Sequence, residues 1–123
     1  MSILTWLQNR ALRKLIGPAQ SRTKAIVHSI WRTYNLVDNA PCDDATRWRL
    51  ATVTFLENNA GHDALFFFQG ASPSIKDFRT ACGVACNATI IEQSKCLSPA
   101  LQMQVFSVVF DTVETEIASL TKL

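Results

Sequence analysis

Apolar positions recur along this chain at intervals of three and four, and helix-stopping residues interrupt them at regular distances. That pattern predicts five helical segments. In residues 3–16, Ile3, Leu4, Leu7, Ala11 and Leu15 fall on one side of a helical wheel, with Arg10 and Arg13 off it. Gly17-Pro18 reads as the stop, glycine for a left-handed cap and proline because it cannot continue the ladder. A second helix is expected from about Ser21, a plausible N-cap, to Val37, with Ile26, Val27, Ile30, Trp31, Tyr34 and Val37 as its buried stripe. A loop over residues 38–44 leads to a third helix from about Asp44 to Asn58, where Trp48, Ala51, Thr52, Phe55 and Leu56 share a face.

The fourth helix is expected to begin at Ser72-Pro73 and to carry Ile75, Phe78, Cys82, Ala85 and Thr89 as far as about Lys95. Ser98-Pro99 opens the fifth in the same way. Its seam of Met103, Phe106, Phe110, Val113, Ile117 and Leu120 alternates by three and four without a miss, close to a coiled-coil pattern. Leu101, Val105 and Val108 lie off that seam, so this helix is apolar on more than one side. Between the third and fourth segments, HDALFFFQGA (62–71) reads as a short helix, because no other strand candidate exists for it to pair with. The fold class expected is therefore all-α, a compact bundle of four or five principal helices with short connections. The organisation expected is one helical domain over residues 1–123, with 1–17 an amphipathic basic helix and 18–123 the bundle proper.

Composition agrees with a single core: 123 residues, 48% apolar and 18% charged. The net charge of +2 conceals an asymmetry. Arg10, Arg13, Lys14, Arg22, Lys24 and Arg32 precede the first acid, Asp38, and all ten acidic residues follow. No run of 18 apolar residues exists, which argues against a transmembrane helix. The opening segment is broken by Gln8, Asn9, Arg10, Arg13 and Lys14, unlike a secretory signal. Without such a signal, the four cysteines read as reduced thiols of a cytoplasmic protein, in a setting that also allows a membrane-peripheral one.

Motifs for catalysis are missing from the chain. Cys82 and Cys86 match half of a zinc site and lack a second half; they read as small thiols filling a helix seam, so no metal and no cofactor is expected. Glycine spacing fits neither phosphate-binding loop, and neither His28 nor His62 has a glutamate three residues before it. Asp43-Asp44 reads as a pair of capping residues and His28 as a half-buried structural histidine. Trp6, Trp31, Tyr34 and Arg47-Trp48-Arg49 mix cations with aromatics, as nucleic-acid proteins do. Two of those tryptophans belong to apolar stripes, however, and the pI near 8.4 is low for such a domain, so nucleic acid is an unfavoured partner.

What remains is apolar surface in excess of one core. The reading favoured is a small non-enzymatic interaction protein, an adaptor or regulatory bundle. Leu4, Trp6, Leu7, Leu65, Phe66 and Phe67 are its candidate protein-binding residues. The alternative is a peripheral membrane protein docked through the first helix, with Arg10, Arg13 and Lys14 on a weak anionic-surface contact. For the first segment itself the favoured placement is on the bundle, with Leu4, Leu7, Ala11 and Leu15 against surplus apolar surface such as Val105, Val108 or the run Phe66 to Phe68. A hinge at Gly17-Pro18 also allows a homodimer, as does the seam of the last helix, although that seam reads first as ordinary bundle core.

Overall fold

Helix α1 (Ile3–Leu36) is a single element, and it passes through the position where the sequence predicts a stop. The computed structural model describes residues 3–36, 43–59, 62–90, 94–95 and 97–122. Pro18 removes the hydrogen bond to the Lys14 carbonyl and crowds the preceding turn. Its predecessor, Gly17, has no Cβ to meet the proline ring, which relieves the usual restriction on the residue before proline. Leu12 on one side of the pair, and Ala19, Thr23 and Ile26 on the other, are buried along one face, so packing holds together a helix that local preference would divide. The expected hinge, and the separate helices on either side of it, are thus absent: residues 3–36 form one rod about 50 Å long.

Helix α2 (Asp44–Asn59) follows, with Trp48, Ala51, Thr52, Phe55 and Leu56 buried as its spacing predicts. Helix α3 (His62–Ala71) confirms the short helix and runs into a single 3₁₀ turn at Ser72–Ser74. Ser72-Pro73 opens only that turn. The N-cap of α4 (Phe78–Ile90) is Asp77, whose Oδ1 accepts the Thr80 N–H at 2.9 Å, while the Thr80 hydroxyl accepts from the Asp77 N–H at 3.2 Å. This reciprocal cap starts the helix five residues later than the serine-proline pair suggests. Helix α5 (Pro99–Thr121) begins as expected, with the Ser98 side chain accepting from Leu101 N–H.

Gln8 meets Ser98 and His28 meets Glu116, so α1 and α5 run parallel. Helix α4 runs antiparallel to both, since Phe78 packs on Trp31 while Cys86 lies by Thr23, and Arg79 pairs with Glu114 at 2.6 Å. Its buried residues Ala81, Cys82, Ala85, Cys86 and Ala88 are small, which lets its neighbours approach closely. Helix α2 packs on the last turns of α1, and α3 packs on α4 and α2. The result is an all-α bundle of five helices with no strand among the described residues.

The second end of α1 is tied down by aromatic stacking. Tyr34 and Trp48 lie 3.6 Å apart between ring centroids, Trp48 and Phe78 4.6 Å, and Trp31 and Phe78 5.2 Å. Helix α1 has no basic residue in its own last turn. Arg47 of α2 supplies one, donating from Nε and Nη2 to the Tyr34 carbonyl at 3.0 and 2.7 Å with its guanidinium over the Tyr34 ring. A cation at a helix C-terminus both satisfies orphan carbonyls and opposes the negative end of the helix dipole.

Candidate interaction site

Two apolar stripes compete on α5. The inward one is Val105, Val109, Thr112 and Val113, all buried. The seam that is cleanest in the sequence faces outward over its first half: Met103 is 67% and Phe110 57% exposed and Phe106 is half-buried, whereas Val113 is buried and Ile117 and Leu120 pack partly on the core. The seam read as bundle core is therefore, over Met103 to Phe110, a surface. Together with Phe67 of α3, Asn87 of α4 and Ser107, these residues line a shallow groove of about 410 Å³.

The run at residues 65–68 divides by direction, as four consecutive helical residues must. Phe68 is buried and Leu65 packs against the core, whereas Phe66 is 79% exposed and Phe67 turns to the groove. Of the three candidates here, Leu65 belongs to the core and only Phe66 and Phe67 reach the surface. On α1, Leu4, Trp6 and Leu7 are exposed, as is Ile3, which sequence reasoning left out of the site. The expectation that Leu4 and Leu7 pack on the bundle is thus overturned; Ala11, Leu15 and Ile16 do so partly, and Leu12 fully. Arg10, Arg13 and Lys14 are all exposed, and the Arg10 guanidinium lies 5.5 Å from the Trp6 ring centre.

The polar candidates are engaged in local structure. Asp43 Oδ1 accepts the Thr46 N–H at 2.8 Å as the cap of α2, and its bonds from the Thr46 hydroxyl and amide hold its carboxyl below the usual range. Asp44 accepts the Tyr34 hydroxyl at 2.5 Å; that bond keeps the phenol protonated and raises its pKa. His28 Nε2 lies 2.8 Å from Glu116 Oε2 and is exposed rather than half-buried. It flanks an open cleft between α1 and α5, lined by Lys24, Asp111 and Glu116 among others. Trp31, Tyr34 and Trp48 stack on one another, leaving Trp6 as the exposed tryptophan of the cation and aromatic group. Among the described residues no group of three or more His, Cys, Asp or Glu side chains is gathered to hold a metal ion. Cys42, Cys96 and the side chains of His62 and Asp63 lie outside what is described.

Cys82 and Cys86 are free and buried between α4 and its neighbours. Burial raises the Cys82 thiol far above its ordinary value, with Cys86 and Asp77 adding to the effect. Burial also pushes Cys86 up to about 12; the adjacent Thr23 hydroxyl opposes this only in part. Folding therefore keeps both protonated where the unfolded chain, with thiols near 9, begins to ionise. The folded state holds more protons in that range, so their contribution to stability is full below pH 9 and is lost as pH rises toward about 12. In denaturant melts, the alkaline fall in midpoint should be shallower for Cys82→Ala/Cys86→Ala than for the parent. Peptide mapping after iodoacetamide treatment at neutral pH should find both residues unmodified in folded protein and modified in unfolded chain.

No protein-family model, curated protein or solved structure matches the chain. Among the described residues no helix is long and apolar enough to cross a membrane.

Proposed function

We propose that this chain is a small non-enzymatic interaction protein, an adaptor or regulatory bundle, that receives an apolar helix of a protein partner in the groove between α3, α4 and α5. The observation that supports the reading is the outward stripe of Met103, Phe106 and Phe110 beside Phe67. Their spacing of three and four is that of residues which meet another helix. Helix α5 already satisfies the core with a different stripe, so these side chains are not needed to complete the fold. Asn87 and Ser107 place polar groups at the same groove, where they can orient a bound helix.

A photo-crosslinking residue at Ser107, introduced in native cells, tests this. The expected result is a discrete adduct with one other protein, identified by mass spectrometry and lost in Met103→Ser/Phe110→Ser at unchanged melting temperature. An adduct between two copies of this chain would replace the external partner with a homodimer. A large fall in melting temperature for the double variant would return the stripe to the core and remove the proposal's support.

A further inference from the structure

The first turns of α1 form a second surface, independent of the α5 groove. All six basic residues of α1 are exposed, and the helix carries no acidic residue. At about 100° per residue, Ile3, Trp6, Leu7, Arg10, Arg13 and Lys14 share a sector about 120° wide. That sector lies opposite Leu12, Ala19, Thr23, Ile26 and Ile30, which face the core. Within it the chemistry is segregated along the axis, apolar first and basic next. The centres of the two blocks are about 11 Å apart at 1.5 Å per residue.

We propose that the first turns of α1 dock the protein on an anionic lipid bilayer, with Ile3, Leu4, Trp6 and Leu7 entering the acyl boundary and Arg10, Arg13 and Lys14 meeting lipid phosphates. Entering end first, the helix would set the two blocks at different depths, the apolar one inward and the basic one about 11 Å back along the axis at the headgroups. Tryptophan and arginine are residues that settle at this boundary, one with an amphipathic ring and the other by extending its charge to the headgroups. The Arg10 guanidinium beside Trp6 joins the two blocks at the level where headgroup meets chain. Charge complementarity selects anionic rather than neutral lipid. With Leu4 included, the apolar block covers about 160° of arc. Ile3 is 80% and Leu4 69% exposed, so the bundle itself does not cover it.

Cutting the chain at Pro18 cannot test this, because α1 is continuous and Leu12 is in the core. Point variants of the full chain can. Flotation with phosphatidylcholine vesicles, with and without about 30 mol% phosphatidylserine, would be run at about 50 and 500 mM NaCl. The full chain is expected to float only with anionic vesicles at low salt, and Trp6 fluorescence to be quenched by brominated lipid in a way that Trp6→Phe abolishes. Arg10→Gln/Arg13→Gln/Lys14→Gln should bind about a hundredfold more weakly, at roughly fivefold per charge. Leu4→Ser/Leu7→Ser should lose binding at unchanged melting temperature, while Met103→Ser/Phe110→Ser should retain it. No flotation of the parent overturns the proposal. So does binding that survives Leu4→Ser/Leu7→Ser, which would point to surface charge alone and to a phosphate polymer such as nucleic acid. Should Leu4→Ser/Leu7→Ser unfold the chain, the apolar block is packed rather than presented, and the proposal fails on that result as well.

Discussion

Replacing Trp48 by alanine is expected to cost about 3–5 kcal/mol, the range for deleting a buried aromatic from a core. Its ring is the centre of the stack: Tyr34 lies 3.6 Å away, Phe78 4.6 Å and Trp31 6.3 Å between centroids. These rings come from α1, α2 and α4, so one truncation loosens three helices at once. The void would lie between flat rings whose own backbones are fixed by helical hydrogen bonds, which limits collapse around it. Tyr34 would keep Arg47 and Asp44 on one side but lose its stacking surface on the other. Against a total stability of about 5–15 kcal/mol, such a loss takes a large share. Guanidinium unfolding of Trp48→Ala and Trp48→Phe measures it, the phenylalanine variant being expected to recover more than half of the loss. A cost below about 1 kcal/mol for the alanine variant would mean that the stack is not a structural joint.

The joint explains which parts of this fold are legible in the sequence. Trp48, Ala51, Thr52, Phe55 and Leu56 form the dominant stripe of α2, with Val53 only partly buried beside it and Leu50 exposed, and all five are buried. Caps are legible where a side-chain acceptor and the backbone N–H that donates to it are local, as at Ser98 and Asp43. Gly17-Pro18 misleads because the penalty for proline in a helix is local, whereas the packing of Leu12, Ala19 and Ile26 that outweighs it is not. Ser72-Pro73 misleads differently: the pair does open a helical turn, but a 3₁₀ one, and Asp77 with Thr80 makes the stronger cap. The site is less legible than the fold. Spacing identifies a stripe that meets something, and it carries no label for whether that is the chain's own core or an outside surface. Leu4, Leu7, Met103 and Phe110 are all regularly spaced and all exposed. The one sequence signal that bears on the difference is the presence of Leu101, Val105 and Val108 on a second side of α5, which means that the helix has more apolar surface than one contact uses.

That ambiguity on α5 reduces to two adjacent residues with opposite expected outcomes. Val109 is 3% exposed on the inward stripe, and Phe110, rotated by about 100°, is 57% exposed on the outward one. Val109→Asp would place a carboxylate on the buried face of α5 beside Val105 and Val113, where a buried charge without a partner costs several kcal/mol unless it takes up a proton. The expected outcome is loss of at least about 3 kcal/mol, partly restored as pH falls toward 4, since protonation removes the charge. Phe110→Asp changes an exposed side chain and is expected to alter stability by less than about 1 kcal/mol at any pH between 4 and 8. Denaturant unfolding of both variants at pH 7 and pH 4 reads the difference. If Phe110→Asp is as damaging as Val109→Asp, the outward stripe is covered by something that contributes to stability. Repeating the comparison over a range of protein concentrations then separates a second copy of this chain, whose effect grows with concentration, from a face buried within one chain, whose effect does not. If the two variants diverge as expected, α5 carries one stripe for its own bundle and holds the other open, which is the arrangement the groove needs to receive a partner helix.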